Sequence, residues 1–513
     1  MRSQKKAGAV LGYLNIGAKN LVNLMYVPLL LHFLGQGDYG VYQMTASVVF
    51  ALTLLSAGLY GAYVRFYMQK RAHQDERGIC QLNGIFLLTY AVVSLLCCVG
   101  GAMLVANVEH LFSGGLTPGE LVLARELMAI MSVNIAVQFL SSPFDSYIVA
   151  HEQFVFQQSR QLIVTLLQPF LAVVLLILGM GAIGVALAQL SVTLVLLILN
   201  IIFARRNLNM QFAFRGFKWS LFKEILVFSF WIFLNQIFDL VNNNVPNFLL
   251  GAMASSSAVA VFSIAIQIRN IFFSMSTTMS NVFVPQINRI VAESNDNIIL
   301  AQLMTRVGRY QMVLFWYLFA GFIVLGRYFI HIWAVDANGD AYWLALIMIL
   351  PVMIPLTQNT GIEIQRAKNK HKMRSLIYIL TSVIDILISI LLIPRISYWA
   401  TAIGYIVSII LGTGMFMNWY YQTRIGLNMI YFWKNMLPTI ALAFVTIGIC
   451  IGGCTLYPIK SILSFFVWGV IFTVLFTVLA WRFSLTENER RRLLMFVTSI
   501  RRKNMSNNDI NVV

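Results

Sequence analysis

Charge is what this chain lacks most. Only 11% of its 513 residues are Asp, Glu, Lys or Arg, and acids are the scarcer sign, 19 against 36 Lys and Arg. A soluble fold of this length could not cover its surface with so few charges. Cysteine is scarce too. Cys80, Cys97, Cys98, Cys450 and Cys454 all lie in or beside apolar runs without paired ligands. Neither a disulfide framework nor a zinc site is expected from them, and small core residues are the default reading. Long polar loops are also missing, so there is no room for a soluble catalytic domain on either face. The net charge of +17 does not point to nucleic acid, because the basic residues sit in short gaps between apolar runs rather than on one face of a soluble fold.

What is present is hydrophobic, at 59% of the residues and a mean hydropathy of +0.78. Apolar stretches of roughly 20 residues, the length that crosses a bilayer core, fall near 8–33, 41–64, 81–106, 122–144, 159–179 and 182–204. Six more fall near 225–250, 258–284, 308–331, 341–363, 375–394 and 397–421, and a final pair near 435–456 and 461–482. The expectation is an all-α polytopic membrane protein of about 14 transmembrane helices. Gly179-Met180-Gly181 and the Pro394 to Tyr398 link each divide a longer apolar run. The opening MRSQKK precedes a run that reaches about Phe33. That is too long for a signal sequence and has no small-residue cleavage site, so it is read as a retained first helix.

The basic residues orient this map. With odd-numbered helices entering from the cytoplasm, 30 of the 36 Lys and Arg fall on the inside, from Arg2, Lys5 and Lys6 to the tail Arg501, Arg502 and Lys503. The inside loops include Arg160, Arg306, Arg309 and the cluster from Arg366 to Arg374, while Arg395 and Lys460 fall outside. Both termini are therefore expected in the cytoplasm, with the chain in an inner membrane. The 366–374 cluster reads as a positive-inside anchor with anionic lipid contact as a second role. The tail from Asn488 suits a short basic amphipathic helix on the inner leaflet. Trp333, Tyr342 and Trp343 read as an outer aromatic belt.

An internal repeat recurs at an offset of about 220 residues. Asn15, Lys19, Pro28, Gly35 and Val41-Tyr42 are answered by Asn235, Asp239, Pro246, Gly251 and Val261-Phe262. Six helices separate the two starts, so the halves enter the membrane in the same direction. The expected division is an N-lobe over 1–204, a cytoplasmic linker over 205–224, a C-lobe over 225–421, a terminal helix pair over 422–482 and a basic tail over 483–513. Parallel repeats of this kind place a substrate site between lobes near the midplane.

Lys19 and Arg269 fall near helix centres, where a lipid-facing cation costs on the order of 3 kcal/mol. Each must face water or a partner, and together they would suit an anionic group, phosphate above all. Asp239, followed by Asn242 and Asn243, and the set Asn15, Asn20 and Asn23 make the seventh and first helices unusually polar. Lys19 and Asp239 could instead form a buried pair. Asp385, mid-helix in the eleventh span, suits a coupling ion or a packing contact equally. Arg65 sits at an inside helix end, where topology alone explains it.

The segment Leu34-Gly35-Gln36-Gly37-Asp38-Tyr39-Gly40-Val41-Tyr42, with Gly58-Leu59 and Arg65-Phe66, resembles the bacterial polysaccharide-biosynthesis flippases of the multidrug/oligosaccharidyl-lipid/polysaccharide exporter superfamily. The match continues through Asp239, Leu249-Leu250-Gly251, Val261-Phe262-Ser263 and the basic loop after the tenth helix. The resemblance implies two six-helix lobes with two added helices, and transfer of an undecaprenyl-pyrophosphate-linked oligosaccharide to the outer leaflet by alternating access. In related lipid II flippases, cations in the first, second and eighth helices serve the pyrophosphate. Lys19 and Arg269 match two of these in kind; the second helix offers only Arg65 at its inner end, which favours an exopolysaccharide, capsule or O-antigen type of substrate.

This reading makes the protein a transporter rather than an enzyme, with no cofactor beyond a coupling proton or sodium ion. Its partners would be the lipid-linked glycan, the bilayer and a polysaccharide polymerase or glycosyltransferase. The rivals are a multidrug antiporter of the same superfamily, disfavoured by the central cations, and a membrane polysaccharide polymerase or ligase, disfavoured by the short outer loops.

Overall fold

Hydrocarbon offers no partner for a peptide N–H or C=O, so a chain this apolar must satisfy its backbone within each segment. The computed structural model describes residues 2–214, 219–281, 283–334, 338–368, 370, 372–484, 487 and 490, and among them every regular element is a helix. Twelve helical runs are long and apolar enough to cross a membrane. The first, Leu14–Ala72, has 59 residues, roughly 88 Å at 1.5 Å per residue and far beyond one bilayer core of about 30 Å. Gly35 breaks it, with φ 72 and ψ 177, a conformation that costs glycine nothing. The expected first and second helices are the two sides of this break. Trp219–Asn243 and Val245–Met253 supply the expected seventh helix. The chain is thus an all-α polytopic membrane protein of the expected kind.

Both expected interruptions are real. Phe154–Ile177 and Gly181–Ile202 are joined across Gly179, at φ 81. Lys372–Ile396 and Tyr398–Ile409 are separated by Ser397 alone, at φ 50. Two other details differ from the sequence expectation. Arg160 belongs to the Phe154–Ile177 helix, and Arg306 and Arg309 to Asn297–Trp333, so these cations stand on helices rather than in loops. The aromatic belt is also smaller than expected. The Trp333 indole N–H donates to the Leu24 carbonyl at 2.6 Å, and the Tyr342 hydroxyl to the Ile323 carbonyl at 2.9 Å. Only Trp343 stays exposed, because the other two polar tips found backbone partners inside.

The chain forms two compact units. One comprises Met1–Ile264 with Trp333–Asn338 and Tyr378–Tyr405; the other comprises Ala265–Ile332, Gly339–Ile377 and Ile406–Val513. In the first, small residues let helices approach closely, as membrane packing requires. A Cβ on Gly101 would stand 2.4 Å from the Ser132 Cβ, and the Ser94 hydroxyl donates to the Ala136 carbonyl at 2.9 Å. The glycines of the segment around Tyr39 and of Leu249-Leu250-Gly251 do the same. A Cβ on Gly40 would fall 1.9 Å from the Ser256 carbonyl oxygen, and one on Gly251 2.1 Å from the Met44 sulfur. Helix Pro118–Ala150 starts with a capping box between Thr117 and Glu120, and Glu120 also accepts from the Ser256 hydroxyl.

The second unit is built around buried Trp316, which packs edge-to-face against Phe319 at 5.6 Å and Phe315 at 5.9 Å. The Gln311 amide donates to the Ser280 hydroxyl at 2.6 Å. Asn418 accepts from both Gln358, at 3.0 Å, and the Trp433 indole, at 2.8 Å.

Replacing Gly40 by Val should force two backbones apart and lower stability by about 1–3 kcal/mol, read as a fall in the melting temperature of the detergent-solubilised protein. Gly448→Ala, at a helical position with open space around it, should leave that temperature unchanged or raise it slightly.

Candidate functional site

In the first unit, Asn15 is 7% exposed and ties the first helix to Phe154–Ile177. Its amide donates to Gln158 Oε1 at 3.5 Å, and its carbonyl oxygen accepts from the Thr165 hydroxyl at 3.1 Å. Asn15 is therefore spent on helix packing. Lys19, Asn20 and Asn23, one and two turns further along, are exposed, and among the described residues Lys19 has no ion-pair partner.

Asp385 is 4% exposed in Lys372–Ile396 and accepts from the Ser389 hydroxyl at 3.4 Å. Gly404 makes space for it, since a Cβ there would lie 2.3 Å from Asp385 Oδ1. One turn earlier the Ser382 hydroxyl accepts from the Asn242 amide at 3.2 Å. The seventh and eleventh helices are thus joined by a polar seam that continues toward Asp385. Asn243 is exposed. Asn235 and Asp239 lie on the Trp219–Asn243 helix, but their side chains are outside the described residues. Asn247, which the sequence reading did not single out, donates to the Ser47 hydroxyl at 2.9 Å and accepts from Ser263 at 3.3 Å.

Arg65 is exposed on Leu59–Ala72, its guanidinium 5.8 Å from the ring centroid of Phe66. In the second unit Arg269 is 2% exposed, within Ser256–Asn281. Its Nη2 donates to Asn270 Oδ1 at 3.3 Å, and the guanidinium stands 5.9 Å from the Phe273 ring centroid. An amide oxygen and a ring face together stabilise a cation where water does not. Among the described residues, no group of three His, Cys, Asp or Glu is placed to hold a metal ion.

The sequence reading missed one buried network. Arg160, 9% exposed, pairs with Asp145 at 2.5 Å and donates to Asn200 Oδ1, while the Asn200 amide donates to the Ser141 hydroxyl at 2.8 Å. Three helices meet on this one guanidinium. A second cluster sits where Pro118–Ala150 ends. His151 Nδ1 lies 2.9 Å from the Tyr147 carbonyl, so it carries the proton, and Nε2 accepts from the Tyr67 hydroxyl at 3.0 Å. Burial pushes the His151 pKa below its ordinary value; the bond to the Tyr147 carbonyl partly opposes this, and the positive charge of Arg71 adds to the lowering.

A family model described as polysaccharide biosynthesis protein matches residues 7–291. That is more than half of the chain, which belongs to this family. No curated protein matches. Among solved structures, "Lipid II flippase MurJ, inward closed conformation" superposes with a TM-score of 0.73 at 14% identity, covering 92% of this chain and 98% of that one. An inward-facing multidrug resistance MATE family transporter of the MOP superfamily superposes at 0.63 and 15% identity, covering 80% and 94%. The Vibrio cholerae MATE transporter VcmN in its bent form reaches 0.53 at 12% identity, covering 83% and 98%. At these identities the likeness is one of fold.

Arg160→Ala should strand the Asp145 carboxylate and cost about 2–4 kcal/mol, seen as a large drop in melting temperature that the double substitution Arg160→Ala/Asp145→Ala partly recovers. The lowered His151 pKa makes the neutral ring the folded form. The unfolded chain takes up its proton near pH 6.5 and the folded one only at lower pH, so this contribution is present above that pH and lost as pH falls. The melting temperature should decline on acidification below it, and the decline should shrink in His151→Gln.

Proposed function

We propose that this protein is a flippase that moves an undecaprenyl-pyrophosphate-linked oligosaccharide from the inner to the outer leaflet of the bacterial inner membrane by alternating access. Membership of the polysaccharide-biosynthesis family supports a glycan pathway, and the fold shared with a lipid II flippase supports a lipid-linked cargo. The observation that carries the reading is Arg269. It is 2% exposed in a segment with the hydropathy of a membrane span, and a cation kept there suits an anionic cargo. Moving a pyrophosphate through hydrocarbon is prohibitive unless the charge is paired. Arg269 and Lys19 are the cations assigned to that pairing, with Arg65 as a third at the inner end. Asn23 and Asn243, both exposed, suit sugar hydroxyls. Asp385, with Asp239 and Asn242 on the seventh helix, is the assigned site for a coupling proton or sodium ion.

A multidrug antiporter is the second reading, and the MATE-like fold favours it to the extent that fold can. It predicts drug resistance when the protein is expressed in a susceptible strain. The flippase reading predicts none. Instead, deletion should cause a lipid-linked oligosaccharide to accumulate on the inner leaflet.

In proteoliposomes loaded with that lipid, Arg269→Ala should slow flipping by roughly 10- to 100-fold, the equivalent of a charge-assisted hydrogen bond of about 1.5–3 kcal/mol. Arg269→Lys should retain much of the rate. Normal flipping by correctly inserted Arg269→Ala and Lys19→Ala would overturn the cationic-site model.

A further inference from the structure

The second unit contains a basic cleft that the flipping mechanism does not use. It has a volume of about 550 Å³ and is lined by Lys368, Lys370, Arg424, Asn295, Asn297 and Gly426, among others. This size falls in the range of small-molecule sites. By the charge tally, these loops belong to the expected cytoplasmic face. Lys368 caps Asn359–Ala367, and its ammonium donates to Asn297 Oδ1. The Lys370 ammonium donates to the Arg424 carbonyl at 2.9 Å, and its own carbonyl accepts from the Tyr420 hydroxyl at 3.2 Å.

Arg424 stands in a π-helical turn, Tyr421–Ile425, that closes at Gly426 with φ 84. The position of Gly426 is forced twice over, by that φ and by Asn297, whose Nδ2 would lie 2.4 Å from an added Cβ. π-Turns inserted in helices recur at functional sites. Here the turn delivers Arg424 to the rim occupied by the two lysines.

Topology and helix capping explain why basic residues gather on this face. They do not explain three cations around one cleft with no opposing acid. Among the described residues no carboxylate pairs with Lys368, Lys370 or Arg424. The nearest acid in the chain to the lining asparagines, Asp296, turns an oxygen to the backbone N–H of Ile298 at 2.7 Å. Among the described residues each ammonium uses one of its three donors on the protein, and the Arg424 guanidinium uses none of its five. Lys368 is held below its ordinary pKa by burial and then by the charge of Lys370. An anion in the cleft would relieve both costs.

We propose that this cleft binds a phosphate group, presented by an anionic phospholipid headgroup or by a soluble diphosphate, on Lys368, Lys370 and Arg424. Phosphate fits because the bidentate fork of Arg424 on the π-turn and the point charges of Lys368 and Lys370 on the loop after Asn359–Ala367 meet at one cleft. The proposal does not rest on the flippase reading, and its test reads binding rather than transport.

The full-length, delipidated protein is titrated in two arms: phosphatidylglycerol against phosphatidylcholine, followed by native mass spectrometry, and inorganic pyrophosphate at fixed ionic strength, followed by calorimetry. Wild type should bind in at least one arm, and the arm that responds identifies the source of the phosphate. Arg424→Gln should weaken binding about five- to tenfold and K368Q/K370Q/R424Q more than 50-fold, on the order expected of one cation each. Arg424 is exposed, so the single variant keeps the test informative if the triple variant fails to fold. Lys370→Arg should bind as wild type does. Arg306→Gln, at another exposed cation of the same unit, should change nothing. The proposal is overturned if wild type binds in neither arm, if Arg424→Gln binds like wild type, or if Arg306→Gln loses as much affinity as Arg424→Gln.

Discussion

Everything in this protein follows from the absence of water in the slab its helices are built to cross. A peptide group there has no partner but its own helix, and a charge has no solvent but what the fold supplies. The first demand explains why the chain is helical even where proline intrudes, as at Pro28, Pro143, Pro169 and Pro438. It also explains why the break in the 59-residue first run falls on Gly35, the residue type that can take φ 72 without strain.

The second demand is met differently at each cation. Arg160 is answered by the Asp145 carboxylate and the Asn200 amide oxygen, and Asn200 is held in turn by Ser141, a complete local solution that holds three helices in register. Arg269 is lodged against the Asn270 amide and the Phe273 ring within its own helix. Lys19 stays on an exposed helix surface, beside asparagines. A charge answered by a carboxylate in its own unit is architecture, and ligands gain little from it. A charge left exposed, as Lys19 is, keeps its field for something that arrives.

That distinction also marks what the sequence could reveal. Hydropathy and charge alternation predict helix number and interruptions, because both are one-dimensional consequences of crossing a slab. They count a charge without knowing its direction, so Arg160 reads as a loop cation although it turns inward to Asp145. Asn15 reads as part of a polar stripe with Lys19, but one turn of helix points it at Gln158 and Thr165 instead. Trp333 reads as an interfacial residue until its indole meets the Leu24 carbonyl. In each case the missing information is the identity of the packing neighbour, far away in the chain, and no periodicity within a helix encodes it. Charge alternation gives Arg424 a side of the membrane but not its place on a π-turn, which leaves little trace in composition.

The family resemblance divides along the same line. Gly40 and Gly251, two residues that carry it, are sites where backbones or side chains come too close for a Cβ; they specify a packing, and a packing can be shared by proteins that carry different cargo. This accounts for a superposition at TM-score 0.73 with only 14% identity. Substrate choice must then reside in residues that packing leaves free to vary, and in a low-dielectric interior the strongest such variable is the sign of charge. A cavity lined by cations suits anions, as one lined by acids suits cations. The fold therefore leaves the cargo open, and the charges that packing does not fix are where proteins sharing this fold can differ.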